Sequence, residues 1–400
     1  MNDQAIRAPK HAQEGGTWSL FKSNLRDYVM YIALVVIFLI FGVMTKGLFL
    51  SPRNLSDLIN QTGYVAVLAI GMTCILIIKH IDLSVGFVAG FIGALAARLL
   101  TAGWATWMVI PAMLLVGIAI GVYQGFLVAR VGVPAFVTTL AGMFIFRGLL
   151  SMVTSGTGTI IVRDEAFRAL SNGFVPDPFD GMVAGIHVLT LIIGLVGALI
   201  VCFVQIRARR NMKRYRFKVL SAPLFAVKLA VLVSVLCAVT WILATYKGIP
   251  WTAVIVGIVL ILYNFMLNQT PFGRGIYAIG GNTEAAELSG IDVTRVTFTI
   301  FCSMSMLAAL GGILYTSRLA SATPAAGVGF ELDAIASSYI GGVSVSGGVG
   351  KVTNTIIGAL VIMSLTNGMN LLGVDISFQY VVKGVIFILA VAFDVISHRK

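Results

Sequence analysis

The sequence has few charged residues. Only 11% of its 400 residues are Asp, Glu, Lys or Arg, whereas 58% are hydrophobic. A soluble globular domain typically has about 25% charged residues. A water-soluble fold of this length could not bury so much apolar surface, so the composition excludes a soluble protein. The sequence indicates an integral membrane protein, with lipid as the solvent for most of the chain.

Metal-binding, disulfide and hydrolase motifs are also absent. The four cysteines lie within apolar segments, form no CxxC pair and show no metal-ligand spacing, so we interpret them as packing residues. The sequence has no HExxH or GxSxG motif, and we find no paired carboxylates within the predicted spans. We therefore predict a chain that is not an enzyme and has no metal site. The cysteines are Cys74, Cys202, Cys237 and Cys302.

The N-terminal segment does not have the pattern of a cleaved signal peptide. Residues 1–27 are polar and mixed in charge, and they lack a short apolar region followed by small residues. We expect residues 1–27 to form a cytoplasmic tail. We expect residues 28–400 to form one transmembrane domain.

Apolar segments long enough to cross a bilayer recur along the rest of the chain. Because a transmembrane helix needs about 20 apolar residues, we predict an all-α polytopic bundle of about 10–12 spans. The tenth segment is short and rich in glycine, so we predict a broken or re-entrant helix there. The segments are 28–45, 58–78, 83–100, 105–129, 134–154, 185–206, 224–246, 251–267, 296–316, 332–345, 352–372 and 380–396.

The distribution of basic residues predicts the topology. An excess of Lys and Arg marks cytoplasmic loops, and most of the 28 basic residues fall on the side of the N-terminus if both termini are cytoplasmic. The densest cluster, RARRNMKRYRFK, lies in a predicted cytoplasmic loop at 207–223. It either contacts anionic membrane lipid or a partner, or only retains the loop inside. The net charge of +12 thus needs no nucleic-acid partner. The largest predicted external loop is 155–184.

The predicted cytoplasmic loop 270–295 contains a short helical segment. Asn282 or Thr283 can cap this helix, Glu284 favours its first turn, and Gly290 can end it. A short surface helix with small residues suits docking into a groove of a soluble partner, and an ordinary connecting loop is the alternative. The residues of interest are Gly280, Gly281, Asn282, Glu284, Ala285, Ala286 and Gly290.

Two charged residues lie in or beside predicted spans. Asp82, in HIDLSVG, is followed by Ser84, and either residue could cap the third span. A role of Asp82 in a gate or pathway is the alternative, because acids at membrane depth are costly. Arg147 lies deep in its span, so we expect it to point inward as a structural clamp in preference to contacting substrate.

Five ordered motifs resemble the permeases of ATP-binding-cassette monosaccharide importers. The resemblance extends from about residue 54 to 394, and the additional stretch near 207–251 is similar to the longer xylose-type and multiple-monosaccharide permeases. The motifs are HIDLSVG (80–86), VPAFVTTLAGMFIFRGL (133–149), GRGIYAIGGNTEAAELSGI (273–291), LDAIASSYIGGVSVSGGVGKV (332–352) and LTNGMNLLGV (365–374).

The resemblance implies the rest of the transporter. The 280–290 segment would couple two copies of this chain to a cytoplasmic ATPase, either a dimer or a tandem fusion, and a periplasmic binding protein would deliver the sugar. The chain itself would bind no cofactor, because ATP and Mg²⁺ belong to the partner. The chain has one stretch that could be mistaken for a phosphate-binding loop, GGVSVSGGVGKV. It does not match the P-loop pattern, because Val345 stands where the pattern requires Gly and Val352 stands where it requires Ser or Thr. The resemblance assigns Gly347 and Gly348 to a glycine-rich bend near the transport pathway. It also implies that the protein is located in the inner membrane of a bacterium.

Two groups of polar residues could line the sugar pathway. Asn side chains supply the paired donors and acceptors that hydroxyl groups need, but the same residues could hydrogen-bond between helices. One group is a stripe on the eleventh span and the other lies near the start of the second. They are Ser364, Asn367 and Asn370, and Asn60, Gln61 and Tyr64.

We therefore expect a permease that carries a pentose or a hexose across the membrane. Among these sugars, we expect a xylose-like one. A stand-alone secondary transporter or channel for a small polar solute is the alternative. It would require buried titratable groups for ion coupling, and Asp82 is the only acid in the predicted spans that suggests one.

Overall fold

The computed structural model describes residues 25–179, 182, 185–215, 219 and 221–398, with side chains from Met30 to Ala392. The predicted all-α bundle is confirmed, since this part contains only two strands, each of two residues. Residues 1–24 of the predicted tail, Asp180 and neighbouring positions of the 155–184 loop, and most of 216–220 in the basic loop lie outside the described residues.

The described elements follow the predicted spans closely. A 3₁₀ turn at Leu48–Leu50 precedes α2, and a π-helical turn at Leu127–Val131 extends α4. In chain order the elements are α1 Leu25–Met44, α2 Pro52–Ile77, α3 Val85–Thr101, α4 Thr106–Phe126, α5 Ala135–Thr154, β1 Ile160–Ile161, α6 Glu165–Asn172, α7 Val188–Arg214, α8 Ala222–Ala244, α9 Trp251–Gln269, α10 Pro271–Gly281, α11 Thr283–Leu288, α12 Val293–Leu319, β2 Ser321–Ala322, α13 Phe330–Ile340, α14 Val352–Leu371 and α15 Ile376–His398.

Eight of these helices are long and apolar enough to cross a membrane: α2, α4, α5, α7, α8, α9, α12 and α14. Shorter apolar helices occur in α1, α3 and α15. Together they account for eleven of the twelve predicted segments. The remaining one is α13, which has only 11 residues.

The predicted broken helix is present, and it consists of α13 and the glycine-rich segment 341–351. The ring of Phe330, the first residue of α13, lies 4.7 Å from that of Tyr64, which is midway along α2. Further along, Gly348 N donates to Ile77 O at the end of α2, over 2.9 Å. The segment therefore runs beside the second half of α2, first as a helix and then as irregular backbone that is partly buried against protein.

Helix α3 also begins inside the bundle. A Cβ added to Gly86 would lie 2.3 Å from the carbonyl oxygen of Gly327, so only glycine permits this contact. Gly327 comes three residues before α13, which places the N-terminal ends of α3 and α13 side by side. The sequence predicted α3 as an ordinary full span, whereas its first turn lies at the depth where α13 begins.

The central helices pack in two matching sets. Helix α2 packs on α12, α13 and α14, and helix α12 packs on α2, α3 and α4. The pair α2 and α12 is antiparallel, because Gly71 approaches Met304 while Gly311 approaches Leu68. This arrangement is typical of an inverted structural repeat. Helices α7 and α8 pack mainly on each other, and they contain the stretch that sequence analysis identified as additional.

A stripe of small residues brings α4 against α12. Gly117, Gly121 and Gly125 follow at four-residue spacing and lie against the backbone of α12. A Cβ at Gly121 would be 2.5 Å from the Cα of Cys302. Because lipid supplies no hydrophobic drive for helices to associate, such close backbone approach provides much of the packing energy.

Gly121→Ala is therefore expected to force α4 away from α12. We expect a loss of about 1–3 kcal/mol of stability, as for other overpacked interiors, and a lower melting temperature in mild detergent. Gly148→Ala is the matched control, because an added Cβ there meets nothing within 4 Å. Equal melting temperatures for the two variants would contradict this account of the α4–α12 contact.

Candidate coupling segment and solute cavity

The predicted short helix of the 270–295 loop is present as α11. Asn282 is its N-cap, and Asn282 Oδ1 accepts from Ala285 N over 3.0 Å. Gly290 follows the helix with φ +83°, a conformation that favours glycine. Ala286 faces the protein and is buried, whereas the apolar side chain of Leu288 is 85% exposed. The helix thus leaves Leu288 and Glu284 exposed on its outer face.

The preceding helix α10 lies directly on the end of α2 and on the glycine-rich segment 341–351. A Cβ at Gly280 would be 1.9 Å from Ile77 O and 2.5 Å from Gly348 N. Tyr277 Oη also donates to Gly350 O over 2.8 Å. A displacement of α10 would therefore be transmitted to both segments at once.

Two further predicted residues lie at this contact. Gly347 and Gly348 have φ values of +78° and +72°, and Lys79 packs beside Gly347. The Nζ of Lys79 donates to Gly281 O over 3.4 Å. Gly347 and Gly348 thus lie under α10, at the end of the bundle that carries α11 (the α11 end). They do not line the cavity described below.

Asp82 belongs to a buried chain of hydrogen bonds. Asp82 Oδ1 accepts from Ser84 N over 2.8 Å and from Ser84 Oγ over 2.6 Å. Ser84 Oγ in turn accepts from Gln124 Nε2 over 2.7 Å, and Ser305 Oγ donates to Gln124 Oε1 over 3.4 Å. This chain joins the start of α3 to α4 and α12. Asp82 therefore orders the turn before α3. The predicted cap is not formed, because Ser84 is at the N-cap position but its side chain makes no capping bond, and Asp82 bonds to Ser84 instead of to the first turn.

Arg147 differs from the expectation. The residue is exposed on the surface of the chain, and its guanidinium carbon lies 5.6 Å from the centre of the Phe87 ring. The prediction of an inward-pointing clamp to an acid or to carbonyl groups is therefore wrong for the single chain. The neighbouring helix offers an aromatic face, which attracts a cation.

Two of the six predicted polar residues, Gln61 of α2 and Asn367 of α14, bond to each other, and Asn54 of α2 joins them. Asn367 Oδ1 accepts from Asn54 Nδ2 over 2.9 Å, and Asn367 Nδ2 donates to Gln61 Oε1 over 3.4 Å. These bonds join the two helices, as the interhelical interpretation predicts. Asn60 Oδ1 and Ser364 Oγ are buried, and neither has a hydrogen-bond partner among the described residues.

Tyr64 and Asn370 differ from these residues because they line a cavity of about 410 Å³ between α13, α14 and α15. The Gln379 amide at the start of α15 donates to Asn370 Oδ1 over 2.8 Å and to Val374 O over 3.0 Å. Asn370 Nδ2 and Gln379 Oε1 make no hydrogen bond in the described part of the chain. The aromatic residues of the wall are Tyr64, Phe330, Tyr380 and Phe387.

An ion pair lies in the same wall, and sequence analysis missed it. Lys383 Nζ on α15 is 2.9 Å from Asp333 Oδ1 and 3.1 Å from Oδ2 on α13, and both side chains are mostly buried. Asp82 is thus not the only acid within the bundle, because Asp333 and Glu331 are also internal. The available signal was the presence of ionisable residues at the edges of segments 332–345 and 380–396.

Comparison with known proteins identifies the family. Residues 54–391 match the family described as "Branched-chain amino acid transport system / permease component". The chain is 38% identical over 389 residues to the xylose transport system permease protein XylH of Escherichia coli K12, covering 96% of each chain. It is 33% identical over 367 residues to the ribose import permease protein RbsC of Haemophilus influenzae, covering 91% of each.

The XylH protein of Haemophilus influenzae is also 38% identical, over 378 residues that cover 94% of this chain and 98% of the relative. No solved structure gives a significant match. Since the family match and the relatives cover almost all of the bundle, from α2 to α15, this chain belongs to the family of permease components typified by branched-chain amino acid transport systems.

Proposed function

We propose that this chain is the membrane-spanning permease of an ATP-driven monosaccharide importer, with a pentose such as xylose as its solute. The observation that carries the proposal is the near full-length identity to permeases named for xylose and ribose. The cavity between α13, α14 and α15 supports a polar solute, because its aromatic walls carry unused amide groups. The chain is a transport subunit and not an enzyme.

ATP hydrolysis is assigned to a separate ABC ATPase, as a dimer or a tandem fusion, that docks on α11. The support is the exposed Leu288 and Glu284, on a helix held against the bundle by Ala286. The chain's own candidate for a phosphate loop ends at Lys351 and Val352, where α14 begins, and it lacks the Ser or Thr that would bind Mg²⁺. ATP and Mg²⁺ therefore belong to the partner in this proposal.

The α11 end is assigned to the cytoplasm, and both termini with it. Basic residues concentrate there, including Lys79, Arg130, Arg274 and the series that ends α7 at Arg214. The opposite end of the bundle, which carries α6 (the α6 end), would then face the periplasm. A sugar-binding protein would deliver its solute at the α6 end of the inner-membrane complex.

A second copy of this chain completes the pathway in this proposal. Arg147 lies in the interior of α5 on a face that the chain leaves exposed, and an added Cβ at Gly148 meets nothing within 4 Å. A guanidinium exposed to hydrocarbon would be costly. Water or a second copy must therefore border this face of α5, and a solute path between two copies satisfies the requirement.

Leu288→Asp is expected to abolish binding of the cognate ATPase, because it places a charge at the exposed apolar position of α11. The measurement is co-purification of the ATPase with tagged permease from co-expressing cells in mild detergent. Ile161→Asp is the matched control, since Ile161 is 60% exposed at the α6 end. Recovery of equal ATPase with Leu288→Asp would overturn the assignment of α11.

A cysteine introduced at Gly148 is expected to react with a charged maleimide in proteoliposomes, because the α5 face borders water. The native Cys237, which is exposed on α8, is the internal control. It should remain unlabelled because it faces lipid, where the reactive thiolate is disfavoured. Peptide mass spectrometry reports both sites in one sample. Equal labelling of the two cysteines would contradict an aqueous path beside α5.

A further inference from the structure

We propose that the cavity between α13, α14 and α15 binds an uncharged polyhydroxylated solute, and that the Asp333–Lys383 ion pair excludes charged ones. The inference rests on the proposed function and adds the location of the solute site and the origin of its selectivity. It starts from the groups in the cavity wall that are not used by the protein itself.

The wall presents both donors and acceptors. Gln379 uses both protons of its amide within the protein, which leaves its Oε1 as an acceptor, and Asn370 uses its Oδ1, which leaves two donors on Nδ2. Tyr64 Oη makes no hydrogen bond within the described residues, so it can donate a hydrogen bond to a solute or accept one from it. A hydroxyl group both donates and accepts, so a vicinal diol matches this arrangement.

Aromatic rings supply the apolar part of the site. The rings of Tyr64 and Phe330 pack 4.7 Å apart in one wall, and Tyr380 and Phe387 of α15 also line the cavity. The volume of about 410 Å³ is within the usual range for small-molecule sites. A sugar ring has C–H groups on its faces and hydroxyl groups at its edge, and this wall offers partners for both.

The ion pair can contribute without being separated. Lys383 Nζ has three N–H donors, of which two point to the oxygens of Asp333, so one remains. Each carboxylate oxygen retains a further lone pair. A neutral hydroxyl can therefore bind to the intact pair, whereas an anion or a cation would compete for one member and leave the other buried and uncompensated.

No other charge in the described wall compensates for a charged solute. Among the residues that line the cavity, Asp333 and Lys383 are the only charged ones. Glu331 is close in sequence, but its Oε2 lies against Gly86 at the start of α3. The wall is therefore neutral only as long as Asp333 and Lys383 are both present.

The test measures solute binding to purified permease in nanodiscs by saturation-transfer NMR, without ATPase or binding protein. The probes are D-xylose, its acid D-xylonate, and the amino sugar D-glucosamine. Wild type should bind xylose and discriminate against both charged probes by at least about tenfold. Asp333→Asn should gain xylonate binding, and Lys383→Met should gain glucosamine binding, each by about tenfold.

Two further variants separate selectivity from structure. The exchange variant Asp333→Lys with Lys383→Asp keeps the wall neutral and should keep the preference for xylose. Asn370→Leu should weaken xylose binding about tenfold without any gain of charged probes. Size-exclusion profiles and melting temperatures identify variants that do not fold.

The selectivity proposal is overturned if the single variants fold and lose xylose without gaining the opposite charged probe, because the pair would then only join α13 to α15. The site itself is overturned if folded wild type binds no xylose while it still captures its ATPase. Loss of ATPase capture by wild type, with xylose binding retained, would instead contradict the proposed function alone.

Discussion

The structure depends on one constraint, which is that no backbone amide or carbonyl can remain unpaired in lipid. The described chain interrupts its helices twice within the bundle, before α3 and around α13, and at both interruptions backbone packs against backbone of another segment. Gly86 lies against Gly327, and Gly348 N donates to Ile77 O. Side chains other than hydrogen would prevent both contacts, so the glycines near these positions allow irregular backbone to exist at membrane depth.

This constraint also explains where the proposed coupling segment, α10 and α11, is attached. Gly280 of α10 touches both Ile77 and Gly348, the two backbones that already pair with each other. From Gly348 the chain leads back through 341–351 to α13, which carries Asp333 of the ion pair. An unbroken series of contacts therefore joins α11 to the cavity between α13, α14 and α15. An ordinary long helix in place of α13 would move as one rod and could not bend between these two sites.

Hydropathy was sufficient to predict the helices, and capping chemistry was sufficient to predict α11, because both signals are local in sequence. Pairing across the bundle was not predictable. Asn367 bonds to Asn54, which is 313 positions away in the sequence. The sequence around either residue does not indicate that the other is its partner. Lys383 of α15 pairs with Asp333 of α13 from 50 positions away, and neither local sequence indicates this pairing. Arg147 was expected to point inward because a guanidinium cannot face lipid cheaply, and its local sequence does not show what borders its face of α5.

The structure supplies a criterion that the sequence lacks for separating residues that join helices from residues that line the proposed solute site. Polar side chains of both kinds occur in the spans, but those that join helices bond to other protein groups, and any atom they leave unpaired, such as Asp82 Oδ2, is buried away from the cavity. Asp82 Oδ1, Ser84 and Gln124 form one such chain, and Gln61 and Asn367 form part of another. The cavity side chains instead keep donors or acceptors unused while remaining accessible. A site that must release its solute at every cycle needs such groups, because they form bonds without any protein bond being broken first.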